Sequence, residues 1–485
     1  MKNLTRQNPG QLFVAQELIN KVIKLNYSVA ELRKKTLLPL CGLCLGLPLG
    51  AQTEAAGSST NNWTLQACLD YALAHNVQLK KLNASTESAR IGVSEANAAK
   101  MPTLSASVSQ ALTYRPFQDT GSNFVNGGIA TSAADKAMQS GSYGVNARWV
   151  VWNGGQTRMN ITKAEYDVQL AECDARAHAH SIQEQIAQLY IQILYMQEAE
   201  AVNRTLLSQD SLICRRGEEM VEVGNLAKAE LAQLSAQVSQ GRYDLVDVQT
   251  QIAEAKMKLR QLLELPADVP FDIAGFAPAE AALLEDIPAL ESVYLAALGS
   301  RPEVKRSELA IEQSQLNTKI AQRGYYPTVS LTGSLGDSHV TGSGRTWFNQ
   351  MKNNFNSQVG VSVSIPILDN RKTKSAIERA RVAETTAQLD LQDTQKELRQ
   401  TVETYWLNAV NNQAKYRSAQ TNVSALSESY ELMNEQFNVG LKNIAELLNS
   451  RASLLQAQQS MLQDKYTALL NRSLLTFYAG GELKF

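Results

Sequence analysis

The residues able to do chemistry in this chain are few. His178 and His180 stand two apart, so they do not share a helix face and make a poor metal pair. His75 and His339 are isolated in sequence. Asn153-Gly154-Gly155 and Gly342-Ser343-Gly344 lack the strand and helix context of a phosphate loop and read as turns. Cys68, Cys173 and Cys214 are too widely spaced for a metal signature, and three thiols cannot all pair within one chain. They read as small apolar core residues. No set of nucleophile, base and oxyanion donors emerges, nor any cofactor motif, so the chain does not read as an enzyme. What remains is a recurring pattern. Val223-Gly224 precedes Ala229-Glu230-Leu231, and Val439-Gly440 precedes Ala445-Glu446-Leu447, with every position displaced by the same offset.

That pattern belongs to a longer duplication. Ala98-Ala99-Lys100-Met101-Pro102-Thr103-Leu104-Ser105 is matched by Arg323-Gly324-Tyr325-Tyr326-Pro327-Thr328-Val329-Ser330, again at one constant offset. At that same offset Ala72-Leu73 meets Ala297-Leu298, and Lys80-Lys81 meets Lys305-Arg306. A twofold internal repeat sets the architecture before any single residue is weighed.

The chain has 485 residues and a formal net charge of −1, which gives no broad basic surface for nucleic acid. Arg33-Lys34-Lys35 precedes an apolar run from Leu37 to Leu49 and then Gly50-Ala51-Gln52. This predicts a secretory signal with a long leader over residues 1–51, cut after Ala51. A short membrane anchor is the alternative, but the run is shorter than the roughly 20 residues that a spanning helix needs. Beyond it no apolar run approaches the length of a spanning helix, so a membrane role must use strands or surface contact.

Proline marks out the elements that must carry the repeated pattern. None occurs between Pro116 and Pro266, nor anywhere after Pro366. Such gaps permit very long helices, and both stretches are rich in good helix formers. Ile182, Ile186 and Leu189 show the helical stripe. The first half, residues 52–270, reads as a helix over about 64–101, a β-hairpin over 103–152, a long helix to about Glu222, and a return helix to Leu265. The second, residues 289–485, repeats this with a helix over about 289–326, a hairpin over 328–368, a long helix to Asn438, and a return helix to near Tyr478. Residues 271–288 link the halves. Loops are expected at 115–142 and 337–356. A helix from about 155 to 222 is about 100 Å long, and the two shorter ones laid end to end match it. A rod of that size is not a globular enzyme core.

The four strands alternate apolar and polar residues. Tyr143, Val145, Ala147, Trp149 and Val151 share one face, against Gly144, Asn146 and Arg148 on the other. Val359, Val361, Val363, Ile365 and Ile367 repeat the pattern. Runs of roughly nine to eleven residues suit tilted membrane strands. Four strands cannot close a barrel, and open edges are forbidden in lipid. The chain must then self-associate. An ordinary sheet packed on a soluble core is the alternative.

In all of this the chain resembles the TolC-like outer-membrane factor family across nearly its whole length after the signal. The carrying residues are Trp63-Thr64-Leu65-Gln66-Ala67-Cys68-Leu69-Asp70-Tyr71-Ala72-Leu73 at the first helix start, Ser364-Ile365-Pro366-Ile367-Leu368-Asp369 at a strand-to-helix junction, and the Val-Gly breaks with Glu-Leu six residues on. The resemblance implies a mostly α protein with membrane β: a homotrimer with a long α-helical coiled-coil barrel, in which each subunit gives four strands to one twelve-stranded barrel. It implies a Gram-negative outer-membrane location with the helical tunnel in the periplasm. It also implies a periplasmic adaptor and an inner-membrane pump as partners, proton-driven or ATP-driven. Small toxic compounds are the expected cargo, and protein export through a type I secretion system is the alternative.

The resemblance assigns roles at the helical tips. Val223, Gly224 and Asn225, with Val439, Gly440 and Leu441, correspond to its adaptor-docking turns, and a plain turn is the alternative. Glu446 and Asn449 occupy the positions of two aspartates that ring the periplasmic entrance, so one acid is kept and one is lost. Lys442 stands at an arginine position and Phe437 at a tyrosine position of a closing latch, and Glu230 is expected to pair with Lys442. A solvated helix carboxylate is the alternative for Glu446. Neither an adaptor, which would need a compact β-rich module, nor a plain coiled-coil protein accounts for two matched hairpins.

Overall fold

The computed structural model describes residues 62–114, 116–117, 137–266, 268–275, 285–341 and 345–485, with the backbone of 121–125 and 128–132. The expected signal at 1–51 and Gly342-Ser343-Gly344 lie outside the described residues.

Strands are numbered β1 (Asn62–Trp63), β2 (Thr103–Tyr114), β3 (Gly121–Val125), β4 (Gly128–Ser132), β5 (Ala137–Trp152), β6 (Asp272–Ile273), β7 (Thr328–Val340) and β8 (Asn356–Ser364). Helices are α1 (Leu65–His75), α2 (Val77–Ala98), α3 (Gln156–Glu222), α4 (Lys228–Leu262), α5 (Leu290–Ser300), α6 (Pro302–Gln322), α7 (Trp347–Asn354), α8 (Lys372–Asn438) and α9 (Ile444–Tyr478).

Two helices of 67 residues, α3 and α8, dominate. Their buried residues follow a seven-residue beat. Val402, Ala409, Tyr416, Tyr430 and Phe437 are spaced by multiples of seven along α8. In α3 the row runs Ala199, Asn203, Leu206, Asp210, Ile213, Gly217, alternating four and three. A period of 3.5 keeps one seam turned toward its partner, the condition for a left-handed coiled coil. Each long helix returns through a 35-residue helix, α4 after α3 and α9 after α8. All four boundaries of the second pair are displaced from those of the first by the offset that relates the two Val-Gly breaks.

Toward the sheet, α2 and α6 take over as the partners of the long helices. Here the sequence expectation of one continuous helix over 64–101 and another over 289–326 is corrected. Both break, and at equivalent positions of the repeat, Asn76 and Arg301. The Asn76 side chain accepts the Leu79 N–H at 3.0 Å, a cap that opens a new helix. Pro302 has no N–H to continue the ladder and starts α6 instead. A 3₁₀ turn, Arg323–Tyr325, then leads into β7.

The main sheet is antiparallel in the order β2-β5-β7-β8, so the hairpins of the two halves join at its centre. Ala106 lies opposite Val145, Val145 opposite Leu335, Trp149 opposite Leu331, and Leu331 opposite Val361. One face is therefore apolar across all four strands. A bulge shifts the register between Val150 and Trp152. Because a bulge inserts one residue, Trp152 and not Val151 lies opposite Val329 on that face. The fourth strand ends at Ser364, so Ile365 and Ile367 lie beyond it. Pro366 lacks the N–H that would extend the ladder. The two expected loops also hold structure: β3 pairs with β4 inside the first, and α7 lies inside the second.

Two apolar cores hold the rod. The larger, midway along, gathers Ile182, Ile186, Ile193, Leu259, Leu474 and Leu475. Beside it β1 and β6 pair in parallel, and the Tyr190 hydroxyl donates to Ala274 O at 2.9 Å. Cys68 and Cys173 are buried and Cys214 half-buried. Burial pushes the Cys68 thiol up to about 12. The smaller core, near the tips, holds Ile213, Leu234, Tyr430, Phe437, Ile444 and Leu447.

Candidate functional site

The two tips are built alike because each needs one residue with positive φ. Val223 caps the C-terminus of α3 and Gly224 takes φ +82°; Val439 caps α8 and Gly440 takes φ +79°. Asn225 N–H then donates to Met220 O at 2.8 Å, and Leu441 N–H to Gln436 O at 2.9 Å. This is the six-to-one bond that closes a helix on a glycine. The turns leave apolar side chains in solvent: Val223 is 69 %, Val439 70 % and Leu441 75 % exposed.

The carboxylates just past the tips are handled differently. The Glu230 side chain accepts the Ala227 N–H at 3.2 Å and so caps its own helix. At the equivalent position in the second half, Glu446 takes Lys442 Nζ at 2.7 Å and Asn443 Nδ2 at 3.2 Å. The Asn443 side chain in turn accepts the Glu446 N–H at 2.9 Å. The expected Lys442–Glu230 pair is therefore not formed within the chain: each partner is engaged nearer home in sequence, where less chain need be ordered. Phe437, expected at the latch, is only 4 % exposed and fills the last buried position of the seven-residue row, so its ring belongs to the tip core. Asn449 is exposed one helical turn beyond Glu446.

These residues meet around a cleft of about 400 Å³ between the two tips, lined by Leu226, Glu230, Phe437, Leu441, Lys442 and Glu446 among others. Asn225 reaches it too; Val223, Val439 and Asn449 do not line it. The cleft is largely polar and brings one ammonium and two carboxylates together. Among the described residues no cluster of metal-ligating side chains occurs.

One pair near the tips escaped the sequence reading. Asp210 of α3 and Arg451 of α9 are 4 % and 6 % exposed. Arg451 Nε donates to Asp210 Oδ1 at 2.7 Å, and Nη2 lies 2.6 Å from Oδ2. Burial pushes the Asp210 carboxyl above the usual carboxylate range, against the pull of the guanidinium. A buried pair of this kind adds little net stability, but removing one partner leaves an uncompensated buried charge. The available signal was a polar residue inside each apolar stripe, Asp210 between Leu206 and Ile213 and Arg451 between Leu447 and Leu454.

The family model for outer membrane efflux proteins matches residues 68–264 and 293–481. The chain is 23 % identical over 359 residues to the outer membrane efflux protein BepC of Brucella suis, covering 74 % of this chain and 75 % of that one. It is 23 % identical over 415 residues to the pyoverdine export outer membrane protein OpmQ of Pseudomonas aeruginosa, covering 82 % and 81 %. The fold is that of the CmeC outer membrane channel of Campylobacter jejuni, with a TM-score of 0.71 at 18 % identity, covering 92 % of this chain and 95 % of that one.

Proposed function

The chain belongs to the outer membrane efflux protein family, and we propose that it is the passive exit duct of a tripartite efflux system, built from three copies. Its place is the outer membrane, with the helical tunnel in the periplasm. The observation that carries the duct reading is the four-stranded sheet with two unpaired edges, β2 and β8. Unpaired strand edges are not tolerated in hydrocarbon. β8 of one copy pairing with β2 of the next removes them, and three copies give twelve strands. The helices favour the same lateral association. Leu389, Leu407 and Leu432 on α8, and Tyr243, Val246 and Met257 on α4, are exposed in the single chain.

On this reading Val223, Gly224 and Asn225, with Val439, Gly440 and Leu441, dock a periplasmic adaptor, and the cleft between the tips receives it. Glu446 rings the entrance. Three copies around an axis focus negative potential and favour cations there. Lys442, held against Glu446 at 2.7 Å, offsets part of that charge, and Asn449 adds none. Glu230 and Phe437 support the tip as cap and core. The cargo is small toxic compounds delivered by an inner-membrane pump.

Crosslinking in cells from a probe at position 442, followed by mass spectrometry of inner-membrane proteins, tests this. An adaptor recovered with a proton-driven pump supports the proposal. An adaptor recovered with an ATP-driven secretion transporter moves the function to protein export. A trimer that captures neither overturns the tip assignment, and a monomer in mild detergent by light scattering overturns the shared barrel.

A further inference from the structure

At the helical end of the sheet the charge balance departs from that of the whole chain. The ten-residue windows next to the four strand ends, 93–102, 153–162, 318–327 and 365–374, hold seven Lys and Arg against Glu95 and Asp369, a net of +5, while the whole chain is −1. Three turns bring the centre of this charge together. A Cβ at Gly154 would meet Tyr326 Cβ at 2.8 Å, and a Cβ at Gly324 would meet Thr373 at 2.9 Å. The turns at 153–155, 323–326 and 369–373 are thus packed side by side. Rings face the same level. Trp152, opposite Val329 on the apolar face, stands edge-on to Tyr326 with centroids 6.2 Å apart. Arg323 lies over the Tyr326 ring at 4.9 Å, and Trp149 Nε1 donates to Lys100 O at 2.9 Å. Apolar face, aromatic rings and cations follow one another in the order in which a bilayer presents tails, interface and headgroups.

One backbone feature singles out the turn that opens α8. Asn370 and Arg371 hold φ +50° and +65°. The matching turn of the first half puts Gly154 and Gly155 there, at +67° and +84°. A non-glycine residue held in the left-handed region is strained, and such strain is a reason to look for function. The Arg371 side chain makes only a long 3.9 Å approach to Glu378 among the described residues, with both side chains exposed. Lys372 and Lys374 are exposed and in no ion pair among the described residues. The one acid of this turn, Asp369, is engaged locally, accepting the Thr373 N–H at 2.8 Å.

We infer that this collar binds acidic phospholipid headgroups of the periplasmic leaflet, with Arg371, Lys372 and Lys374 as its principal cations and Arg323 beside them. The strained arginine then has a role that glycine could not fill, since it carries a charge to the level where the lipid phosphates lie. The inference rests on the outer-membrane placement and not on the pump or the cargo.

Native mass spectrometry of the purified full-length protein, titrated with phosphatidylglycerol and with phosphatidylcholine, tests it. Phosphatidylglycerol should bind in preference, and each cation removed should weaken it about fivefold. Arg371→Gly relaxes the turn, so loss of lipid preference in that variant cannot be blamed on misfolding, and Arg371→Lys should restore most of it. The combined variant Arg371→Gly, Lys372→Gln, Lys374→Gln should lose about a hundredfold. Equal occupancy by the two lipids, an unchanged preference in the combined variant, or displacement by equimolar inorganic phosphate would each overturn the assignment. Conductance in planar bilayers keeps the readings apart: the collar variant should conduct normally, whereas a wild-type protein that does not conduct sinks the duct and leaves the lipid preference to be judged alone.

Discussion

Asn153-Gly154-Gly155 in the first half and Asp369-Asn370-Arg371 in the second make the same turn at equivalent positions of the repeat, and each opens a 67-residue helix. In both, the first side chain accepts a threonine N–H four residues on, from Thr157 at 3.2 Å and from Thr373 at 2.8 Å. The backbone is the same and the side chains are not. Glu230 caps its helix while Glu446, its counterpart, holds Lys442. Asp210 and Arg451 form a buried ion pair where their counterparts are Leu426 and Ser235. The backbone stays duplicated where a local rule fixes it: a left-handed turn, an Asn or Asp side chain capping a threonine N–H, a seven-residue beat. Side chains diverge where the halves meet different surroundings. Within the chain α3 packs on both α4 and α9, whereas α8 packs extensively on α9 and touches α4 at most marginally. The ion pair sits in the α3–α9 seam, whose counterpart between α8 and α4 is at most marginal inside the chain.

The largest expected effect tests that seam. Asp210→Ala or Arg451→Ala strands a buried charge and should cost about 3–5 kcal/mol, read as a lowered unfolding midpoint with early hydrogen exchange near the tips. Replacing both by their repeat counterparts, Asp210→Leu with Arg451→Ser, removes both charges and should recover most of it. If the double variant is no better than the singles, the loss is one of packing and not of an unpaired buried charge. Next come the tips. A Cβ at Gly224 or Gly440 meets nothing within 4 Å, so only backbone strain opposes substitution. Gly224→Ala and Gly440→Ala should each cost about 1 kcal/mol. Unequal losses would break the equivalence of the tips.

The α8 turn should respond in the opposite sense. Arg371→Gly should stabilise by about 1 kcal/mol, and Gly155→Arg should destabilise by a similar amount, both read by thermal unfolding. A smaller asymmetry is pH-dependent. Burial, with Arg301 and Arg176 nearby and Glu303 opposing, holds His180 below the usual imidazole range, while its counterpart Lys396 is exposed. A depressed folded pKa means that the contribution of His180 is fully present above the unfolded value, about 6.5. It is lost as pH falls through the folded value, because the unfolded state then binds the extra proton. Unfolding midpoints measured from pH 7.5 downward should fall through this window, and His180→Gln should flatten the slope. The smallest effect belongs to Lys442→Gln. An ion pair this exposed contributes no more than about 1 kcal/mol, so global stability should barely move.

Much of the rod could be read from the chain. Proline-free stretches and the Val-Gly pairs locate the long helices and their tips to within a residue or two of the observed ends at Glu222 and Asn438. The tip residues were legible because φ near +80° leaves glycine as the natural occupant. The partners of Lys442 and Glu230 were less so. The spacing of Lys442 and Glu446 already offered the pair that forms, and only packing at the tip decides between it and a more distant one. Phe437 shows the reverse case. Its place in the row with Tyr430 and Tyr416 marks it as a core residue, a periodic signal present in the chain and outweighed by likeness to a latch position.

By itself the sequence determined the duplication, the lengths of the long helices, their turns, and the alternation of the strands. These follow from forces acting within a few residues: hydrogen-bond ladders that proline interrupts, the helical period, and the conformational range of glycine. Only the tertiary structure decided the order β2-β5-β7-β8, the bulge that turns Trp152 onto the apolar face, and the pairing of Asp210 with Arg451 across 241 residues. It also decided that Arg323 lies over Tyr326 and that their turn packs against the one carrying Arg371. Each of these depends on which distant segments exclude water together, and no local rule in the chain specifies that.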